Sequence, residues 1–190
     1  VIAWSSAVRV VSGDDRDAWL DARRIRITST DIAKAVTPSG WSAVVAEKLF
    51  HRERADNVYF AHGREREDEI ARRAEQRFGI CPNRFLFDRA GLSATPDGIG
   101  DRALGEYKTA VKPLPATVPR NYRDQIFIAQ YVMEAEWTLL GWEQHLNGVP
   151  VDLEPTWLRI ERDQERIDVL LKTADELADF LATERLTLAY

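Results

Sequence analysis

The sequence predicts an α/β (α+β) fold in which a central mixed β-sheet is flanked by helices. Three observations predict it. Helical periodicity dominates up to Phe78. Short β-type segments separated by Gly91, Pro96-Asp97-Gly98 and Gly100 then fill Asn83 to Ala110. The remainder reads helix, strand, strand and a closing amphipathic helix. Helices, a meander, then mixed elements imply a sheet covered by helices. With 190 residues, 45% hydrophobic and 30% charged, the chain is expected to form one domain, 1–190, around one sizeable core.

Asp14 to Arg24 reads as a short helix with Ala18, Trp19 and Ala22 on one face. Thr28-Ser29-Thr30-Asp31 is a helix start, because these side chains accept hydrogen bonds from free N–H groups, and the helix runs through Ile32 to Val36. Pro38-Ser39-Gly40 is read as a break, with a further helix from about Trp41 to Phe50. Asn57 to Phe78 reads as a long helix whose apolar and small stripe is Phe60, Gly63, Ile70, Ala71, Ala74 and Phe78, ended by Gly79 as a C-cap. Arg84–Phe87, Leu92–Ala94 and Leu104–Thr109 read as strands, and Lys112 to Pro119 as a Pro-rich connection. Asn121 to Glu134 is a helix with Tyr122, Ile126, Ala129 and Met133 inward and Gln125 at the border. Glu136–His145 and Val151–Ile160 are strands joined through Asn147-Gly148. A helix from Asp163 to about Thr183 buries Ile167, Leu170, Leu171, Ala174, Leu177 and Leu181.

Composition excludes several chemistries. One cysteine, Cys81, rules out an intramolecular disulfide and a zinc ribbon or iron–sulfur cluster built by this chain alone. His51, His62 and His145 show no metal-ligand spacing. No signal-peptide pattern and no bilayer-spanning apolar run occurs, so a cytoplasmic protein without membrane contact is expected. The net charge of −5 is unusual for a nucleic-acid binder. Basic residues nevertheless cluster: Arg23, Arg24 and Arg26, then Arg64, Arg66, Arg72, Arg73 and Arg77. They read either as a local basic surface or as helix ion pairs.

The chemistry concentrates in Thr95-Pro96-Asp97-Gly98 and Glu106-Tyr107-Lys108. The first run puts a carboxylate on a tight turn. The second puts a carboxylate and an ammonium on the same side of a strand, because side chains repeat every second residue. Glu67 adds a third carboxylate on the stripe of the long helix that should be buried, where an unpaired charge is costly. An ion pair to Lys108 or an arginine would also explain it. As a metal site, Asp97 and Glu106 would bind Mg²⁺ through oxygen, with the Tyr107 carbonyl a further ligand and Glu67 serving a second ion or the first through water. Lys108 would position water or stabilise growing negative charge, and Gln125 could orient Lys108 or the nucleophile. Separately, Arg23 with Thr28-Ser29-Thr30 reads either as a phosphate cradle or as a capped helix with an arginine lying over the core.

Gly13-Asp14-Asp15, Ala18-Trp19, Arg23 and Ile27-Thr28-Ser29-Thr30-Asp31 together resemble the amino-terminal signature of the lambda-type alkaline exonucleases, the YqaJ-like viral recombinase family. Gly63-Arg64-Glu65-Arg66-Glu67 resembles their glycine-to-glutamate helix motif. Asp97 with Glu106-Tyr107-Lys108 is similar to the split motif of the wider PD-(D/E)XK nucleases, and Tyr122-Arg123-Asp124-Gln125 to the Tyr-x-x-Gln helix. The blocks keep the family order over about residues 13 to 135.

The resemblance implies a restriction-endonuclease-like core and Mg²⁺-dependent 5′→3′ digestion of linear double-stranded DNA from its ends, releasing mononucleotides. Mn²⁺ would be able to substitute. It implies metal binding by Asp97 and Glu106, assistance by Lys108, and completion of the site by Glu67 and Gln125. It places Arg23 on the 5′-phosphate and Ser29 or Thr30 near the DNA end. It further implies a bacterial host cell, phage or prophage origin, a single-strand annealing partner in recombination and, as in some relatives, a ring-shaped homotrimer. Arg26 departs from a position where glycine is common. The alternatives are a RecB-like or Cas4-like nuclease, an endonuclease on the same core, or an inactive DNA- or protein-binding module.

Overall fold

The computed structural model describes the backbone of residues 2–50 and 58–188, and the side chains of 2–50 and 66–187. The chain opens with strand β1 (Val8–Ser12) and helix α1 (Arg16–Arg24). Asp15 caps α1, its carboxylate accepting from the Ala18 N–H at 3.0 Å. Strand β2 (Ile27–Thr28) leads into α2 (Ser29–Ala35), whose start is a capping box: the Thr28 hydroxyl accepts from the Asp31 N–H, and the Asp31 carboxylate accepts from the Thr28 N–H.

Helix α3 (Pro38–Phe50) starts earlier than the sequence suggests. Pro38 is its first residue rather than a break, since the first turn has no use for the missing N–H. Gly40 is required there, because a Cβ would stand 2.0 Å from the Lys34 carbonyl oxygen. Helix α4 (Val58–Phe78) follows. Its expected first residue, Asn57, and the side chains of Phe60, His62, Gly63, Arg64 and Glu65 lie outside the described residues, as does His51. Gly79 ends α4 at φ +69°, a conformation open to glycine, with its N–H donating to the Glu75 carbonyl.

Next come β3 (Cys81–Pro82), β4 (Phe85–Arg89), β5 (Leu92–Ala94), β6 (Gly98–Ile99) and β7 (Ala103–Ala110). The two-residue strands β3 and β6 were not expected; two residues carry no alternation to detect. Helix α5 (Arg120–Met133) crosses over to β8 (Trp137–Leu146). Asn147-Gly148 makes the turn as expected, with φ of 52° and 79°, but the return strand is the short β9 (Val149–Pro150). The strand expected from Val151 begins only at Thr156, as β10 (Thr156–Glu161), before the closing helix α6 (Gln164–Leu188).

The main sheet runs β10-β8-β7-β6-β3, with β9 paired to β8; a smaller sheet runs β1-β4-β5-β2. The main sheet is mixed, as expected: β7 lies parallel to β8 and antiparallel to β6. The division into two sheets has a functional consequence. The chain leaves the small sheet after β5 and returns to the main sheet, which β3 already belongs to, at β6, and the crossing segment is Thr95-Pro96-Asp97.

Both faces of β7 and β8 are covered. Leu104 and Leu140 join Ile126 of α5 with Ile167 and Leu170 of α6 in the larger core. Tyr107 and Leu139 face the other way, against Ile70, Ala71 and Ala74 of α4. Each of the buried leucines and isoleucines contributes about 1.5–3 kcal/mol. Asp124 of α5 is fully buried and takes two hydrogen bonds from Arg166 of α6, at 2.9 and 2.6 Å, which locks the two helices. Among the described residues, no helix is long and apolar enough to cross a membrane.

Candidate active site

Asp97 is fixed from both sides. Its N–H donates to the Gly105 carbonyl at 3.0 Å, and its carbonyl accepts from the Asn83 N–H at 2.9 Å. Its side chain turns towards β7, where Oδ2 accepts the Tyr107 N–H at 2.7 Å. Alternation along β7 puts Tyr107 on the α4 side and leaves Glu106 and Lys108 together on the α5 side, as their spacing predicts. Glu106 is buried, and its Oε1 accepts from Lys108 Nζ at 2.6 Å and from Gln125 Nε2 at 2.6 Å. Gln125 thus reaches across from the helix whose Asp124 is locked to α6. The Lys108 ammonium also lies 5.8 Å from the centre of the Tyr122 ring.

The charges press on one another. Burial raises the Asp97 carboxyl well above the usual carboxylate range, and Glu106 and Glu67 add to it; Lys108 and the Tyr107 N–H only partly offset this. For Lys108, burial works against the ammonium, but Glu106 and Asp97 outweigh it and hold the proton more tightly than in a free lysine. Glu67 acts electrostatically on both Asp97 and Lys108, so α4 brings it into the neighbourhood. Among the described residues, however, no three histidine, cysteine, aspartate or glutamate side chains converge in a metal-ligand cluster. The structure therefore brings together Asp97, Glu106, Lys108 and Gln125, with the Tyr107 backbone between Asp97 and the two strand side chains and Glu67 near enough to act on Asp97 and Lys108.

The second constellation lies at the α1–α2 junction. Arg23 is half-buried with its guanidinium 4.4 Å from the centre of the Trp19 ring, and burial lowers its pKa. It forms no salt bridge among the described residues. Thr28 is buried and its hydroxyl is taken by Asp31, donating to Oδ2 at 2.7 Å. Ser29 is buried as well, and Thr30 is the most accessible of the three. Lys48, buried although charged, ties the junction together by donating to the Arg23 carbonyl at 2.7 Å and pairing with Asp31 at 2.8 Å. Sequence reading missed Lys48, because its helix shows no anomaly until α2 packs against it.

That pair gives a pH signature. Burial pushes the Asp31 carboxyl up, but Lys48 and Thr28 outweigh it and hold it below its ordinary value. A depressed folded-state pKa stabilises above the unfolded value, about 3.9, and that contribution disappears as pH falls through the folded value. Asp31→Asn is therefore expected to lower stability near neutrality and to shrink the stability lost on acidification. Urea unfolding between about pH 7 and pH 3 checks this.

The chain thus has an α/β fold in which Asp97, Glu106 and Lys108 meet at a mixed sheet, between a turn and the strand that pairs in parallel with β8 across a helical crossover. No protein-family profile and no curated protein matches the sequence. Among solved structures, the chain shares the fold of the alkaline exonuclease LHK-Exo from Laribacter hongkongensis, at 23% identity over 91% of this chain and 96% of that one, TM-score 0.73. LHK-Exo in complex with dAMP superposes equally well, over 90% and 95%, TM-score 0.73. A phage-related exonuclease from Haemophilus somnus 129PT matches at 14% identity over 87% and 98%, TM-score 0.65. The resemblance to the lambda-type alkaline exonucleases is borne out at the level of the fold, and it extends through the last third, where no sequence motif had carried it.

Proposed function

We propose that this chain is a Mg²⁺-dependent exonuclease that degrades linear double-stranded DNA from its ends in the 5′→3′ direction. One observation carries the reading: Asp97, Glu106 and Lys108 come together from a turn and a strand, braced by Gln125. The exonuclease fold of the similar structures supports it, and the dAMP complex of LHK-Exo fits release of mononucleotides.

The residues fit a hard divalent cation. All the donors are oxygens. Asp97 and Glu106 each keep one carboxylate oxygen without a hydrogen bond among the described residues. Their mutual repulsion in a buried setting is what a cation would relieve. Asp97, Glu106 and the Tyr107 carbonyl would hold Mg²⁺ or Mn²⁺, with Glu67 serving a second ion or a water-bridged contact. A bound cation supplies Lewis acidity, neutralising phosphate charge and making water a better nucleophile. Lys108 keeps its proton and acts as a fixed donor to the negative charge that grows on the phosphate. Gln125 holds Glu106 so that its second oxygen faces the site. Arg23, positioned on Trp19, would receive the 5′-phosphate, with Thr30 nearby. A single-strand annealing protein and a trimeric ring belong to the same proposal.

Matched linear and covalently closed circular duplexes test the reading. Linear DNA is expected to be digested with Mg²⁺, EDTA to stop digestion, and closed circles to survive. Nicked circles would make the protein an endonuclease, and untouched linear DNA would leave a binding module. Arg23→Ala is expected to erase most of the preference for 5′-phosphoryl over 5′-hydroxyl ends, because a guanidinium offers a two-pronged phosphate contact. An unchanged preference in competition digests would remove Arg23 from that role.

A further inference from the structure

We propose that Glu143 is a positioning residue: buried itself, it sets through its two-pronged pair with the half-buried Arg66 where helix α4 presents Glu67 to the site. The assignment rests on the nuclease reading above. Glu143 is 2% exposed, on β8 beside Thr109 of β7, one register step beyond Lys108 and its partner Trp142. Alternation places Glu143 on the same side of β8 as Leu139 and Gly141, the side that α4 covers; a Cβ on Gly141 would meet Ile70 at 3.0 Å.

Arg66 donates to both carboxylate oxygens, Nε to Oε2 at 2.9 Å and Nη2 to Oε1 at 2.8 Å. His145 Nε2 lies 2.6 Å from Oε2, the oxygen that also accepts from Arg66 Nε. Arg66 immediately precedes Glu67, and these two residues lie one helical turn before Ile70 and Ala71, which pack on the sheet. The apolar seam fixes the distance of α4 from the sheet but tolerates sliding and rolling. A bidentate arginine–carboxylate pair tolerates neither, because both donors lose geometry together. The pair sits at the turn of α4 that carries Glu67, and the strand that supplies Glu143 runs beside the strand that carries Glu106 and Lys108. The position of the Glu67 carboxylate is thereby tied to the strands that carry Glu106 and Lys108.

The experiment compares the parent, Glu143→Gln and the double variant Arg66→Met/Glu143→Leu. The measurements are hydrogen–deuterium exchange of residues 66–71, calorimetric Mg²⁺ binding and the thermal midpoint. Glu143→Gln is expected to speed exchange in that segment and to weaken Mg²⁺ binding about tenfold or more, the usual effect of losing an outer support of a metal ligand. Its midpoint falls because Arg66 is left without its counter-charge. The double variant strands neither the guanidinium nor the carboxylate, leaves only the His145 imidazole to lose its Glu143 contact, and is expected to regain most of the midpoint while keeping fast exchange and weak Mg²⁺ binding. Recovery of Mg²⁺ affinity together with the midpoint would reduce the pair to a stability element and overturn the proposal. Parental exchange and affinity in Glu143→Gln would overturn it too. A parent protein that binds no Mg²⁺ overturns the metal-site reading instead, and exchange of 66–71 then decides by itself whether Glu143 places Glu67.

Discussion

Asp97→Asn is expected to abolish Mg²⁺-dependent digestion of linear duplex DNA, by about 10³-fold or more, equivalent to roughly 4 kcal/mol of transition-state stabilisation. The substitution is nearly isosteric, and the amide oxygen can still accept the Tyr107 N–H that the carboxylate accepts at 2.7 Å. What disappears is the charge. Without a divalent cation, that charge is a burden, because burial and Glu106 raise the Asp97 carboxyl well above its ordinary value. A raised folded-state pKa gives stability that is present below the unfolded value and is lost as pH rises towards the folded one. The cation-free parent therefore loses stability across that window, and Asp97→Asn does not. In alkaline buffer without Mg²⁺ the variant should melt no lower than the parent, whereas added Mg²⁺ should raise the melting temperature of the parent alone. Two measurements check this: release of acid-soluble nucleotide, and calorimetric melting with and without Mg²⁺. Retained digestion, or an equal Mg²⁺ shift in both proteins, would remove Asp97 from the metal site.

Lys108→Met separates catalysis from metal binding. Lys108 contributes one positive charge beside two carboxylates, pairing with Glu106 at 2.6 Å. Removing it leaves Asp97 and Glu106 to be neutralised by a proton or by a divalent cation, so in alkaline buffer, where protons compete least, Mg²⁺ affinity should stay the same or rise. The single-turnover rate should fall about 10²–10³-fold, the usual cost of losing one fixed donor to developing charge. Calorimetric Mg²⁺ titration beside single-turnover digestion gives both quantities. Loss of Mg²⁺ binding would make Lys108 a support for Glu106, and an unchanged rate would remove it from the chemistry. Asp97→Asn thus removes Mg²⁺ binding whereas Lys108→Met retains it, while both suppress digestion, a pattern that general unfolding does not produce.

Much of the inner site was legible because it depends on short-range geometry. Two-residue periodicity put Glu106 and Lys108 on one side of a strand whatever the strand packed against, and the side chains do meet. Pro-Asp-Gly announced a turn. Gln125 bordered the buried stripe of its helix, and it does face Glu106. Thr28-Ser29-Thr30-Asp31 announced a helix start, realised as a capping box. The same residues had two uses, since a hydroxyl that can meet a phosphate can also cap a helix; the Thr28 hydroxyl pairs with Asp31 in the capping box. Pro38 was ambiguous for a similar reason, since proline both breaks helices and begins them.

The sequence by itself determined which residues share a face within each element and where most turns fall, because these follow from local backbone geometry. Only the tertiary structure decided that the meander divides between two sheets at Asp97, that β7 and β8 run parallel in a register that sets Glu143 beside the site strand, and that Lys48 and Asp124 are buried with partners distant in sequence. Those outcomes depend on pairing between segments far apart along the chain. Such pairing is chosen by the burial and hydrogen bonding of the whole fold at once, and no local spacing encodes it.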